Sequence, residues 1–278
     1  MKTLLATLLP DDDIDSLLDV IVEIASRHGS HVVGYMPIPG PVLIPIASPV
    51  AMVPLDDSMR RRFKAELPKV KKSFETRMKA EGLSFEFRSD ERISLRLTSG
   101  IVAQGRTCDM VIVRMHKNNG KFTAESAEEI SDLVMSVGRP VLAVPPNLLR
   151  PFACNRVTLA WDGSREAARA AFDCVPLLAK SAEVEVVWIN PEKSQMGDVD
   201  IPGAEIANVL ARHDINVITK PVTSRSKDGA AIVEQAIVNA SDILVLGAYG
   251  HSRLRERILG GVTEHVLRHP PCAVLLSN

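Results

Sequence analysis

Several features that would assign a chain quickly to a class of protein are scarce in these 278 residues. Aromatic residues make up only 4%, which argues against a surface on which the bases of single-stranded nucleic acid would stack. The net charge is −1, so the chain lacks the basic excess of a nucleic-acid-binding protein, and we expect no nucleic acid partner. No apolar run approaches the roughly 20 residues that cross a bilayer, so we expect no membrane partner either.

The cysteines and histidines form no recognisable framework. The four cysteines include no C-x-x-C pair, which favours a reduced, cytoplasmic protein over a disulfide-bonded or zinc-binding one. Cys174 and Cys272 are interpreted as small, packed hydrophobic residues. His265 and His269 have the spacing of a metal pair on a helix, but no third ligand is suggested, and no metal site is predicted.

The second half of the chain alternates strands and helices. Short apolar segments and segments with helical spacing follow one another, which predicts βαβ units and a parallel sheet with helices on both faces. The predicted strands are 156–162, 183–190, 216–222, 243–246 and 272–276, and the predicted helices are 164–181, 203–213, 229–240 and 263–269.

The first half repeats this order of elements. The two halves also end alike, since 138–144 and 269–275 both run through proline into an apolar strand. A tandem duplication is the simplest explanation, with the proline-containing segment 145–152 as the linker. We therefore predict two domains, residues 1–146 and 154–278.

Two segments of the first half stand out by composition. Residues 37–54 are rich in proline, and we expect an irregular surface loop packed by its own apolar side chains. The alternative is a contact for a partner domain or subunit. Residues 59–81 are rich in Lys and Arg and predict a helix with a solvated face, with binding to an anionic surface as the alternative.

Glycines bracket the loop between the fourth strand and the last helix of the second half. Gly247 and Gly250 follow the strand, and Gly260 and Gly261 stand where the helix begins. Glycine lets a ligand approach the backbone closely, and the N–H groups that open a helix favour an anion. The pattern predicts a phosphate-binding loop, with a loop that holds no ligand as the alternative.

These residues resemble the universal stress protein family. The resemblance rests on the glycine spacing just described, on the strand and turn at 156–164, and on the entry into the last strand at 267–274. It implies two tandem α/β domains of the adenine nucleotide alpha hydrolase-like type. Each would be an open, parallel, five-stranded sheet of strand order 3-2-1-4-5 with helices on both faces.

The resemblance also implies an adenine-nucleotide site in the second domain, at the carboxyl ends of the strands where the strand order reverses. Asp162, in the turn Asp162-Gly163-Ser164, would bind the adenosine end, and Asn190 would offer its backbone to the base. The implied ligand is ATP, with Mg²⁺ as its accompanying ion. By this resemblance Gly247, Gly250, Gly260 and Gly261 would cradle the phosphates. Further candidates near them are His251 and Arg253 in the loop and Val262 and Thr263 at the helix start.

Two departures from the family pattern bear on this site. Gly261 stands where the family has serine or threonine, so a hydroxyl is lost. Arg253 stands in place of a glycine, and its guanidinium would either clamp phosphates or fill the pocket. In the first domain the position equivalent to Asp162 falls near Leu8, and residues 114–120 lack paired glycines. We therefore predict that the first domain does not bind nucleotide in the family's manner.

The expected function is that of a regulatory or sensor protein of the stress response that binds ATP through its second domain. Catalysis is expected to be absent or slow, because no Gly-Lys-Ser/Thr phosphate loop is present. The apolar strand 272–276 would form a sheet edge, and antiparallel pairing of such edges predicts a pseudo-dimer within the chain and a homodimer between chains. The alternative is a nucleotide-free structural or interaction module that acts through dimerisation and protein partners.

Overall fold

A computed structural model of the chain contains two compact units, Met1–Val113 and Arg114–Asn278. Strand 141–144, which we had assigned to the first domain, falls in the second unit, and the domain boundaries proposed from the sequence stay a prediction. The residues described are 1–10, 14–40, 43–46, 51–54, 58–92, 97–118, 121–122, 124–146, 148, 151–178, 182–193, 203–248 and 261–278.

The first unit is built on a parallel sheet. Its elements are β1 (Thr3–Thr7), α1 (Asp15–His28), β2 (His31–Pro39), β3 (Leu43–Ile46), β4 (Ala51–Pro54), α2 (Ser58–Ala80), β5 (Phe85–Arg92), α3 (Thr98–Gly105) and β6 (Met110–Arg114). Four of these strands pair in the order β6-β1-β2-β5, and β3 pairs with β4 in a separate antiparallel hairpin. The core is aliphatic, since β1 and β6 are almost wholly buried and α1 turns its apolar side toward them.

The expectation that prolines would keep residues 37–54 irregular is wrong. Strand β2 continues through Pro39, and the hairpin of β3 and β4 follows it. Proline is tolerated in a strand where its missing N–H faces an unpaired edge. The pairing of β2 with β1 ends at Tyr35, and beyond it β2 is paired with β5 among the described residues. Pro37 and Pro39 are two residues apart, so the nitrogen atoms of both prolines face the same side of the strand.

The second unit contains a larger sheet. Its elements are β7 (Lys117–Asn118), β8 (Lys121–Phe122), α4 (Ala124–Val137), β9 (Val141–Val144), β10 (Arg156–Ala160), α5 (Arg165–Cys174), β11 (Glu183–Ile189), α6 (Ala204–Ala211), β12 (Asn216–Val222), α7 (Asp228–Val238), β13 (Ile243–Gly247), α8 (Gly261–Arg268) and β14 (Ala273–Ser277). Its strands pair in the order β12-β11-β10-β13-β14-β9.

The predicted strand order is confirmed for the second half and differs in part for the first. Strands β10 to β14 are parallel and follow the order 3-2-1-4-5. A sixth strand, β9, pairs antiparallel with β14 and covers its outer edge, with Val141 opposite Leu276. In the first unit four strands follow the corresponding order 4-1-2-3, and the expected fifth strand is β9.

Helix α5 is shorter than the predicted helix 164–181. It ends at Cys174 and passes into one 3₁₀ turn, Val175–Leu177. Pro176 explains the early end, because proline donates no hydrogen bond and its ring clashes with the carbonyl four residues before it. Among the described residues, no helix has the length and apolar character needed to cross a bilayer.

Candidate functional site

A cavity of about 250 Å³ lies in the second unit at the carboxyl ends of β10, β11 and β13. The first turns of α7 and α8 close it from the side, so it sits at the point where the strand order reverses, the usual ligand position in open α/β sheets. Its lining residues are Ala160, Trp161, Asp162, Ser164, Ala167, Val187, Trp188, Ile189, Asp228, Ile232, Leu246, Gly247, Gly261, Val262 and Thr263.

The turn after β10 places a carboxylate at the mouth of this cavity. The Oδ1 atom of Asp162 accepts a hydrogen bond of 2.9 Å from the backbone N–H of Ser164, and Gly163 between them has a φ of 76°. Ser164 then caps α5, because its Oγ accepts from the N–H of Ala167 at 3.1 Å. Asp162 is exposed, and its bond to Ser164 uses only one of its two carboxylate oxygens.

The first turn of α8 forms another wall of the cavity. Gly261, Val262 and Thr263 open this helix, and their N–H groups have no partner further back in the helix. A Cβ built on Gly261 would meet no atom of the described residues within 4 Å, so the backbone is not packed against them there. The positive end of the helix dipole and these N–H groups favour an anion at this wall.

Gly247 lies in the cavity wall, but its missing side chain serves the packing of α5. A Cβ on Gly247 would lie 2.4 Å from the nitrogen of Ala167 and 2.4 Å from the carbonyl carbon of Glu166. The first turn of α5 therefore rests directly on the end of β13. Glu166 is buried there and pairs with Arg165, and this hydrogen bond raises the pKa of the Arg165 guanidinium.

Asn190 has a different position from the one expected. It adopts a left-handed conformation with φ 48°, is 7% exposed, and lies behind the lining. Its Oδ1 accepts from the N–H of Ser224 at 2.9 Å, and its Nδ2 donates to Oδ1 of Asp228 at 3.2 Å. Its own backbone N–H donates to the carbonyl of Val222. Asn190 thus holds Asp228, and the β11 residues before it line the cavity instead.

Asp228 was missed by the sequence analysis. It begins α7 and brings a second carboxylate to the cavity. A signal was present, since an acidic residue before Gly229 opens the helix that follows the third strand of the fold. The predicted residues Gly250, His251, Arg253 and Gly260 lie outside the described residues.

His265 joins α8 to α7 beneath the cavity wall. A Cβ on Gly229 of α7 would come within 2.9 Å of Cβ of His265, so the two helices are in close contact here. The rings of His265 and His269 stack with centroids 4.5 Å apart. Burial lowers the pKa of His265, and the charges of His269 and Lys227 lower it further. The neutral form of His265 is therefore favoured where α8 meets α7.

The first unit fills the corresponding place with a side chain. Tyr35, in the middle of β2, is fully buried, and its hydroxyl donates to Oδ1 of Asp90. That hydroxyl would lie 2.1 Å from a Cβ built on Gly100, in the first turn of α3. After β6 the chain forms the short hairpin of β7 and β8 in place of a glycine-bracketed loop.

Comparison with known proteins assigns the second unit. Residues 154–278 match the model of the universal stress protein family. The chain is 25% identical over 172 residues to universal stress protein Slr1230 of Synechocystis sp., and the alignment covers 60% of this chain. It covers 57% of that relative, so the chain spans less than two thirds of the relative's length.

Solved structures share the fold. A universal stress protein from Archaeoglobus fulgidus has a TM-score of 0.69 at 15% identity, with 99% of this chain and 98% of that chain covered. A functionally unknown protein from Pseudomonas aeruginosa PAO1 has a TM-score of 0.63 at 16% identity, with 100% and 92% covered. The match to the family model identifies residues 154–278 as a universal stress protein domain, and the two solved structures show the fold of the chain.

Proposed function

We propose that the second unit binds an adenine nucleotide, ATP, in this cavity, and that the protein acts as a nucleotide-responsive regulator in the stress response. One observation carries the proposal: the carboxylates of Asp162 and Asp228 and the open first turn of α8 line the same cavity. Carboxylates and a helix N-terminus attract opposite kinds of group. A ligand that satisfies both has polar hydrogens at one end and negative charge at the other.

A nucleotide has this polarity. The hydroxyl and amino groups of adenosine donate hydrogen bonds that the oxygens of Asp162 and Asp228 accept, and the phosphates suit the N–H groups of Gly261 to Thr263. Val187 and Ile232 supply the apolar surface for the base between these ends. The volume of about 250 Å³ lies just below the range of about 300–1,000 Å³ for small-molecule sites. A cavity of this volume suits the nucleoside part of the nucleotide.

The phosphate end is proposed to include the residues that join Ala248 to Gly261. Among them Gly250 and Gly260 would let the backbone approach the phosphates, and His251 and Arg253 would donate to them. Mg²⁺ would supply charge neutralisation to the phosphates when bound. None of these loop residues belongs to the described part of the chain.

A regulatory role is favoured over rapid catalysis. No lysine or arginine occurs among the described residues that line the cavity, so the described walls offer no cation to neutralise a transferring phosphoryl group. Ligand binding instead connects the starts of α5, α7 and α8, and a nucleotide that prefers one arrangement of these helices would shift the population toward it.

The first unit is proposed to lack a nucleotide. The buried Tyr35 side chain and its bond to Asp90 occupy the position that the cavity has in the second unit. The turn after β1 also lacks the carboxylate: the N–H of Leu8 bonds to β2 as that of Trp161 bonds to β11, so Leu9 stands where the second unit has Asp162. One nucleotide per chain is therefore expected.

The test is a nucleotide-release assay on freshly purified protein, followed by thermal-shift titration with ATP. We expect released adenine nucleotide at up to one per chain, or a concentration-dependent rise in Tm with added ATP. Asp162→Ala and Asp228→Ala should each weaken binding by about 10- to 100-fold, because hydrogen bonds to a charged group are worth about 1.5–3 kcal/mol.

Asp173→Ala is the matched control, since Asp173 is an aspartate at the far end of α5 that pairs with Arg169. It should bind ATP like the wild type. Absence of both released nucleotide and a Tm shift at millimolar ATP would overturn the proposal and favour the nucleotide-free interaction module. An unchanged affinity in both cavity variants would place the site elsewhere.

A further inference from the structure

Helix α2 in the first unit has a charge that the nucleotide site does not explain. Its 23 residues include nine basic and two acidic ones, a net charge of +7, whereas the whole chain carries −1. One side of the helix is apolar and buried through Phe63, Val70, Phe74 and Met78. Phe74 fixes this side against the sheet, because a Cβ on Gly34 of β2 would lie 2.7 Å from its ring.

Basic residues on the flanks of α2 are held in ion pairs. Arg60 and Lys64 both contact Glu91 of β5 at 2.7 Å. Arg77 contacts Asp19 of α1 at 2.7 Å and also Glu81. These contacts attach the helix to its neighbours, and the charge of these residues is largely matched by nearby carboxylates.

The side of α2 opposite its apolar residues carries basic residues of another kind. Five basic residues between Arg61 and Lys79 lie on this side. With about 100° of rotation per residue, they fall within an arc of about 100° that faces away from the buried side, and they extend over about 27 Å of the helix. All five are exposed. We call this surface the outer face, and it consists of Arg61, Arg62, Lys69, Lys72 and Lys79.

The outer face has almost no matching negative charge. Among the residues that the structure describes, no carboxylate forms an ion pair with Arg61, Arg62, Lys72 or Lys79. Lys69 has one long contact of 3.8 Å to Glu66, and its side chain is 77% exposed. Exposed pairs of this kind contribute little. The cations of the outer face are therefore available to an anionic partner.

An uncharged hairpin is joined to the start of α2. Strands β3 and β4 pair with each other and with no strand of the main sheet in the described part of the chain. No charged residue occurs between Pro41 and Leu55, and most residues there are apolar. Three residues separate Pro54 from Ser58, which keeps the end of the hairpin within about 14 Å of the helix start. An isolated hairpin is marginally stable in water, so an apolar one gains from a further contact.

We propose that the outer face of α2 and the hairpin bind the surface of a lipid bilayer with anionic headgroups. A bilayer presents negative charge and, just beneath it, an apolar layer, so it matches both parts of this surface. Nucleic acid matches the charge but offers no apolar layer to the hairpin, and the outer face has no aromatic residue on which the bases of a single strand could stack. The binding is peripheral, and it revises the expectation of no membrane partner, which rested on spanning segments alone.

The test is a flotation assay with the full chain and vesicles of two compositions. One contains phosphatidylcholine only, and the other contains about one third phosphatidylglycerol. We expect binding to the anionic vesicles, little binding to the neutral ones, and release when the salt concentration rises from about 0.1 M to about 1 M, because the Debye length then falls from about 10 Å to about 3 Å.

Two triple variants, each of which removes three positive charges, separate the effect of the outer face on binding from the effect of the net charge of the helix. In R62Q/K69Q/K72Q the outer face loses three cations, and partitioning should fall about 100-fold, since each basic residue near such a surface is worth about 1 kcal/mol, or about fivefold. In R60Q/K64Q/R77Q three paired cations are lost, and partitioning should change by less than about threefold. Circular dichroism checks that both variants are folded.

A third variant tests the hairpin. Serine at Leu43, Ile44, Met52 and Val53 should lower partitioning by about 10-fold or more while leaving its salt dependence unchanged. If a variant does not fold, the comparison of anionic and neutral vesicles with the wild-type protein still decides whether the protein binds an anionic bilayer. Failure to bind anionic vesicles, equal binding to neutral vesicles, or equal losses in the two triple variants would overturn the proposal. Retention on double-stranded DNA as strong as on vesicles at equal phosphate concentration would assign the face to nucleic acid instead.

Discussion

Gly247 and Ala167 are in such close contact that a Cβ on the glycine would lie 2.4 Å from the backbone nitrogen of Ala167. The end of β13 and the first turn of α5 therefore meet backbone to backbone beside the cavity. The same contact fixes the turn of Asp162, because Ser164 caps α5 through the N–H of Ala167. Gly247, which was predicted to belong to a phosphate loop, thus also positions the carboxylate of Asp162.

Gly247→Ala should therefore destabilise the second unit. A methyl group forced against backbone atoms cannot be relieved by a side-chain rotation, so we expect a loss of about 1–3 kcal/mol in the free energy of unfolding. Urea denaturation followed by circular dichroism measures it. Gly261→Ala is the matched control, because a Cβ there meets no atom of the described part of the chain within 4 Å. Equal stability of the two variants would contradict the packing role of Gly247.

Gly261→Ser tests whether the first turn of α8 contacts phosphate. The added hydroxyl has room at this position and would donate to an anion at the helix start. We expect ATP affinity to rise by about 3- to 10-fold, the worth of one net hydrogen bond of about 1 kcal/mol. Isothermal titration calorimetry of Gly261→Ser, Gly261→Ala and wild type distinguishes the hydroxyl from the loss of glycine. If both variants bind ATP equally more weakly than the wild type, the ligand requires a residue without a side chain at position 261.

Asn190 should contribute to stability in two separate ways, through the hydrogen bonds of its side chain and through its tolerance of a left-handed backbone. Asn190→Gly keeps the φ of 48° accessible but removes the bonds to Ser224 and Asp228, and should cost about 1–2 kcal/mol of stability. Asn190→Ala removes the same bonds and adds about 1 kcal/mol of left-handed strain. Chemical denaturation of both variants gives the difference. Alanine as stable as glycine would mean that the backbone relaxes out of the left-handed region.

Much of the second unit was predictable because each strand is short, apolar and followed by a helix with clear spacing. The turn at Asp162 and the cap at Ser164 are local, so a few residues determine them. Asp228 was missed because its role depends on a bond from Asn190, 38 positions earlier in the chain. The hairpin of β3 and β4 was missed because proline was treated as forbidden in strands, whereas an edge tolerates it.

His265 makes the stability of the second unit depend on pH. Its pKa is lowered in the folded state, first by burial and then by the charges of His269, Lys227 and Arg268, so the unfolded chain binds the proton more tightly. The neutral histidine's contribution to stability is thus complete above the unfolded pKa of about 6.5 and is lost as the pH falls through the lower folded value. Glu264, which pairs with Arg268, lies on the same helix and offsets part of that neighbour's charge.

The measurement is the urea midpoint of the wild type and of His265→Gln as the pH is lowered from about 7.5 to about 5. The midpoint of the wild type should fall more steeply than that of the variant. His28, whose pKa burial also lowers, titrates in both proteins and therefore cancels in the comparison. Parallel profiles would exclude His265 as the source. A nucleotide phosphate at the start of α8 would favour protonation of His265, so saturating ATP should make the wild-type profile shallower, and this change should be absent from His265→Gln.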